Sequence, residues 1–195
     1  MQKLLIASTN QGKISEIKKI FSGLKFDITI PAEAGIDPDF DVDETGTTFE
    51  QNAILKAQAF AKISNLTTLA DDSGLVVDAL DGRPGVYSHR YGATDEARNQ
   101  KLLTELKAIA KAKRTARFIS VIAIFDPFTN KTLTAEGMVE GTISESPKGS
   151  DGFGYDPVFI PAEGDGCTFA ELGTEFKNTI SHRARALQKI KSLLQ

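Results

Sequence analysis

The chain has 195 residues with 41% hydrophobic and 25% charged content, enough to bury a sizeable core as one large domain or two small lobes. A net charge of -3 and a pI near 5.5 argue against broad nonspecific nucleic-acid binding, so any anionic ligand is expected to be small and locally held. The single Cys167 excludes an intrachain disulfide, and with only two histidines a closed Cys/His zinc site is implausible.

Leu4 to Ala7 reads as a first strand. Its four apolar residues before Ser8-Thr9-Asn10 are too few for a signal-peptide core, and no later run approaches the ~20 residues of a membrane span, so the expected location is cytoplasmic and off the membrane. Ile14, Ile17, Ile20 and Phe21 follow at helical spacing. Residues 31 to 48, with five acidic side chains between Asp37 and Glu44, look like a loop of little core content. A helix is predicted over about 48 to 63, with Phe49, Ala53, Ala57, Phe60 and Ala61 on one stripe and Thr47 or Thr48 as its cap. Leu66 to Ala70 reads as a strand released into an Asp71-Asp72-Ser73-Gly74 turn, then a short strand over Leu75 to Ala79. Gly82 to Gly85 is a turn, and residues 94 to 112 a helix with Leu102, Leu103, Leu106 and Ile109 inward. Arg117 to Phe125 and Thr132 to Val139 read as the two strands of a hairpin, Tyr155 to Ile160 as a last strand, and Ser181 opens a C-terminal helix with Ala184, Leu187, Ile190 and Leu194 inward. With no repeat or clear linker, the pattern is mixed α/β in a single domain over 1–195.

Five segments carry chemistry, and each also has an ordinary reading. Adjacent Asp71 and Asp72 repel, so they either face water or meet a cation, although Asp, Ser and Gly also suit a plain turn. Ser8-Thr9-Asn10-Gln11-Gly12-Lys13 joins a strand to a helix, where backbone N–H groups and a lysine can receive an anion or merely cap the helix. Lys56 lies about 20° around its helix from Phe49 and about 40° from Asn52, along the apolar stripe, either snorkelling to a rim or aimed at a negative occupant. Ser181-His182-Arg183 puts cationic side chains in a first helical turn, where the macrodipole favours acids, with Lys177 four residues upstream; an anion would compensate, or the end is simply basic surface. Gly152-Phe153-Gly154-Tyr155-Asp156-Pro157 offers an aromatic ring between glycines, a platform for a planar base or a tight turn with its ring in the core. Acids for a divalent metal, scattered cations for phosphates and an aromatic loop for a base together describe a nucleoside triphosphate site.

The chain resembles the inosine/xanthosine triphosphate pyrophosphatase family, which hydrolyses non-canonical purine triphosphates and cleanses the nucleotide pool. The match runs nearly end to end, through Ser8 to Lys13, Glu44-Thr45-Gly46, Thr48 to Ala53 with Lys56-Ala57, Ala70 to Leu75, Gly85 to Ser88, Gly152 to Phe159 and Ile180 to Arg183. The resemblance implies an α/β fold with an elongated central mixed β-sheet and flanking helices, two lobes around an active-site cleft, and a homodimer. It implies Mg²⁺-dependent cleavage of ITP, dITP and XTP to the monophosphate and pyrophosphate. By position, Asp72 would be general base and metal ligand, with Glu44 and Asp71 also at the metal and Ser73 on the substrate. Ser8, Thr9, Asn10, Gln11, Gly12, Lys13, Lys56 and Lys177 would contact substrate, largely phosphate. Phe153, Gly154, Tyr155 and Asp156, with His182 and Arg183, would line the nucleoside pocket. Three residues depart from the pattern: Gln51 where glutamate is common, His89 for a small residue and Asp151 for a glycine.

Overall fold

Alternating short apolar strands and capped amphipathic helices dictate the architecture of the computed structural model, which describes residues 2–194. Six strands form one sheet in the order β2-β1-β3-β4-β5-β6: β1 (Gln2–Ile6), β2 (Phe26–Thr29), β3 (Thr67–Val77), β4 (Thr115–Asp126), β5 (Lys131–Ile143) and β6 (Phe159–Pro161). The sheet is mixed, since β1 runs parallel to β2 and β3, with Leu5 beside Thr29 and Thr68, whereas β5 and β6 are antiparallel. Five helices flank it: α1 (Gln11–Phe21), α2 (Phe49–Ser64), α3 (Asp95–Glu105), α4 (Phe169–Ile180) and α5 (His182–Leu193). The α/β class expected from the sequence is borne out.

Local chemistry sets the helix ends. Asn10, Thr48, Thr94 and Thr168 each accept a hydrogen bond from the backbone N–H three residues on, satisfying a donor that the first turn leaves open. Asn65 stops α2 in the left-handed conformation, its N–H returning to the Ala61 carbonyl.

The chain divides into two compact units, the first comprising residues 1–72, 120–137 and 183–195, the second 73–119 and 138–182. In the first, the sheet has an apolar layer on each face, as strand alternation requires. Leu4, Ile6, Leu69, Ile122 and Ile124 meet α1 and α5 through Ile14, Ile17, Phe21, Leu187 and Ile190. Leu5, Ala7, Ala70, Val121 and Ala123 meet α2 through Ala53, Ala57 and Phe60. In the second unit, Leu75, Val77, Phe118, Val139 and Phe159 pack with Leu102, Leu106 and Phe169.

Several expectations need correction. No turn breaks Asp71 to Gly74: β3 is one strand from Thr67 to Val77, next to β1, which pairs with Thr67 to Leu69, and to β4 in the sheet order, and it is buried along nearly its whole length. The acidic segment 31–48 does contribute core, because Ile36 is buried and Phe40 packs edge-on against Phe60 at 4.9 Å. The helix expected to 112 is regular only to Glu105, though Leu106 and Ile109 remain packed. Strand β2 and helix α4 had no counterpart in the sequence reading; α4 is broken by Gly173 at φ +78°, which interrupts the apolar period.

Candidate active site

Because successive side chains of a strand point to opposite faces, Asp71 goes with Leu69 toward α1 and α5, and Asp72 with Ala70 toward α2. The two carboxylates that look like a repelling pair in sequence enter different environments. Asp71 accepts from Lys13 Nζ of α1 at 2.6 Å and from Ser120 Oγ of β4 at 2.6 Å, and lies 3.4 Å from Nε of Arg183 on α5. Burial alone would raise its pKa; the Arg183 and Lys13 charges, with the bonds from Lys13 and Ser120, overcome this and hold the carboxyl far below the usual range. Arg183 is also bonded to Glu16 of α1 at 2.5 Å, and although burial disfavours its charge, Asp71 and Glu16 hold its pKa above the ordinary arginine value. The anionic compensation sought for the basic start of α5 thus comes from within the protein.

Asp72 has the opposite balance. It is 7% exposed, and its Oδ2 has no hydrogen-bond partner among the described residues. Burial pushes its carboxyl up to about 6, with Lys56 opposing and Glu44 and Asp71 reinforcing the shift. Two neighbouring acids driven apart in this way give one permanent charge and one group able to exchange a proton near neutrality.

The α2 side completes this cluster. Lys56 Nζ bridges to the Glu44 carboxylate and donates to the Asp71 carbonyl at 3.3 Å. Glu44 is held in place through Asn52, 1% exposed, whose Oδ1 accepts from Gly46 N–H at 2.8 Å; a Cβ on Gly46 would meet that oxygen at 2.5 Å. Gln51 accepts from Thr47 N–H at 2.8 Å, a capping role that its uncharged amide fills as well as a carboxylate would. Lys13 has its pKa lowered by burial, opposed by Asp71 and aided by repulsion from Arg183 and Lys56. Lys13, Lys56 and Arg183 thus stand among four acids, Glu16, Glu44, Asp71 and Asp72, so the cluster has no cationic surplus and a polyphosphate there calls for a divalent cation beside it. At the start of α1, Thr9, Asn10 and Gln11 are exposed and Ser8, Gly12 and Lys13 half-buried; Asn10 caps Lys13 N–H at 3.0 Å, and Ser8 Oγ accepts from Asn10 N–H at 3.2 Å.

No group of three or more Asp, Glu, His or Cys side chains gathers as a metal cage among the described residues. Mg²⁺, however, is commonly held by one or two carboxylates, waters and substrate phosphates. The unpartnered buried Asp72 oxygen, beside the Glu44 charge that it feels, fits that donor set. The Asp71 carboxylate is instead taken up by Lys13, Ser120 and Arg183.

The second unit holds the aromatic loop. Asp156 Oδ2 accepts from Phe153 N–H at 2.9 Å and from Lys177 Nζ at 2.7 Å, while the Lys177 ammonium lies 4.2 Å from the centre of the Phe153 ring. Tyr155 is buried and donates to the Ser88 carbonyl at 2.9 Å, so its ring serves packing here. His182 stacks on Phe118 at 4.7 Å and 10°. Ser73 is half-buried and follows Asp72 directly in β3. His89 faces Arg98, its Nδ1 3.0 Å from Nη1, and Asp151 is exposed. Lys177, expected at phosphate, is thus grouped with Phe153 and Asp156.

Sequence reasoning missed Glu16 and Ser120, and in the second unit Asp95 and Asn99, which bind the Gly154 backbone; Asn52, known there as the neighbour of Lys56, turns out to hold Gly46. A signal for Glu16 existed: it lies about 60° around α1 from Lys13, on the flank of the apolar stripe.

A model of the Ham1 family matches residues 4–193. The chain belongs to the Ham1 family. Among its relatives is a dITP/XTP pyrophosphatase of Bacillus subtilis (strain 168), 49% identical over 198 residues that span 100% of this chain and 98% of that protein. A dITP/XTP pyrophosphatase of Geobacter sulfurreducens is 50% identical, covering 100% of this chain and 97% of the other. The fold is similar to the solved Ham1 protein of Staphylococcus aureus, with TM-score 0.87, 44% identity and coverage of 99% and 98% of the two chains. A Ham1 protein from Coxiella burnetii superimposes with TM-score 0.90 at 40% identity, over 100% of this chain and 98% of that one. The family resemblance read from the ordered motifs is borne out.

Proposed function

We propose that this Ham1-family chain hydrolyses inosine, deoxyinosine and xanthosine triphosphates to the monophosphate and pyrophosphate in a Mg²⁺-dependent reaction that removes them from the nucleotide pool. It is an enzyme, a nucleoside triphosphate pyrophosphatase. The observation that carries the mechanism is the division of labour between Asp71 and Asp72. Asp72, with its carboxyl near neutrality, takes a proton from the water that attacks the α-phosphorus in line. Asp71 stays ionised and fixes Lys13, whose ammonium, with Lys56 and the start of α1, receives the triphosphate. Glu44 and Asp72 would hold Mg²⁺, which neutralises developing charge on the phosphates. Little covalent work is left to the protein; positioning and electrostatics supply the rate.

Base recognition falls to the aromatic loop in this reading. Phe153 is the stacking platform, and Lys177 and His182 are the donors that favour a 6-carbonyl over the 6-amino group of adenine. Arg183 acts through Asp71, given its burial against two carboxylates. We place the protein in the cytoplasm as a single-domain homodimer without nucleic-acid or membrane partners. Among the described residues no helix is long and apolar enough to cross a membrane.

The test is to incubate the protein with Mg²⁺ and ITP, XTP, dITP, ATP or GTP and to separate pyrophosphate from orthophosphate. Pyrophosphate with IMP or XMP, and slow turnover of ATP and GTP, is the expected result. Orthophosphate with a diphosphate would move cleavage to the β-γ bond, and binding without turnover would make the chain a sensor.

A further inference from the structure

Gly154 stands in the aromatic loop at φ +65°, and both its peptide groups are held from α3. Its N–H donates to Asp95 Oδ2 at 2.7 Å, and its carbonyl accepts from Asn99 Nδ2 at 3.0 Å. Asp95 and Asn99 are four residues apart and therefore project from one face of the helix. Arg98 anchors Asp95: its Nη2 lies 2.7 Å from Asp95 Oδ1, and its Nη1 donates to the His89 carbonyl at 3.0 Å. Asn99 is 5% exposed, and its Oδ1 has no hydrogen-bond partner among the described residues. A leucine of similar size would remove that unfavourable burial but would leave the Gly154 carbonyl without its donor. Phe153 is thus suspended between two fixed points, its own N–H on Asp156 and the peptide groups of the next residue on α3.

We propose that Asp95 and Asn99 are positioning residues that set the orientation of the Phe153 ring and, through it, the binding of the purine base. This rests on the reading of Phe153 as the base platform. Neither Asp95 nor Asn99 is read as binding phosphate or metal, so the loss of either is expected to act on base binding and to spare the chemical step.

Steady-state kinetics with ITP, and inhibition by pyrophosphate, test this in Asn99→Asp, Asp95→Ala and Asp95→Asn, with Phe153→Ala alone and combined with Asn99→Asp. Asn99→Asp keeps the size but presents an acceptor to the Gly154 carbonyl, whereas Asp95→Asn keeps an acceptor for the Gly154 N–H. Asn99→Asp and Asp95→Ala are expected to raise KM for ITP about 10-fold with kcat within about 2-fold, and Asp95→Asn to restore most of the affinity. Inhibition by pyrophosphate, which carries no base, stays unchanged. In the Phe153→Ala background, Asn99→Asp changes KM by less than about 2-fold, because the group it acts through is gone. Wild-type KM in both Asn99→Asp and Asp95→Ala, or an equal loss with and without Phe153, overturns the proposal. So does a fall in kcat accompanied by weaker pyrophosphate inhibition, which would mark a general scaffold defect. A wild-type KM in Phe153→Ala itself would remove the base platform and the proposal together.

Discussion

Asp72→Asn is expected to stabilise the metal-free protein while abolishing most of its turnover. The folded structure holds the Asp72 carboxyl at about 6 against an ordinary value of 3.8, with burial as the main cause. That gap corresponds to about 3 kcal/mol against the ionised form. A carboxyl raised in the folded state stabilises fully below its unfolded pKa, and the contribution is lost as pH rises through the folded one. Asparagine has nearly the same shape and no charge at any pH. The variant should therefore be more stable by about 3 kcal/mol at about pH 8, but by less than about 1 kcal/mol near pH 4.2. For a chain of this length that is a rise in Tm on the order of 5–10 °C at the alkaline end. Thermal unfolding followed by circular dichroism in EDTA, across that pH range, measures it. Added Mg²⁺ should raise Tm in the wild type more than in the variant, which lacks the ligand charge. With ITP and Mg²⁺ the variant should lose at least about 10²-fold in kcat, the scale for removing a positioned base. A Tm difference that does not vary with pH, or a variant less stable at about pH 8, would refute the reasoning, because the ionised carboxylate would then be well accommodated without metal.

The neighbouring substitution has the opposite sign. Asp71→Asn removes the charge shared by Lys13 and Arg183 and should cost about 3 kcal/mol in urea unfolding at neutral pH. Since the folded pKa of Asp71 is depressed, its stabilisation is present above its unfolded pKa and lost as pH falls, so wild type and variant should converge in acid; parallel pH profiles would contradict this. Lys13→Ala should raise KM for ITP at least about 10-fold, and an unchanged KM would take phosphate binding away from Lys13. Gly46→Ala should increase the Mg²⁺ concentration needed for half-maximal activity without altering the far-UV spectrum, because the added Cβ meets Asn52 Oδ1 and Gln51 Cβ beneath the Glu44 turn. An unchanged Mg²⁺ requirement would separate Glu44 from the metal.

Read alone, the sequence determined the α/β class, the capped starts of α1 and α2 and the buried faces of α2 and α5, because caps and apolar periods are local signals. It also placed Lys56 on the flank of a buried stripe, and the ordered motifs identified the family. Elements with weak local signals escaped it: β2 is four residues long, and α4 is interrupted at Gly173. The roles of the two aspartates were beyond its reach. Asp-Asp-Ser-Gly has the composition of a turn, and only its place inside the sheet, in a strand that continues to Val77 next to β4, keeps it extended. Extension sends Asp71 to Lys13 and Arg183 and leaves Asp72 beside Glu44 and Lys56, through partners tens of residues away in the chain. Charge balance at a buried carboxylate depends on which distant groups the fold brings within a few ångströms, and spacing along the sequence does not encode that distance.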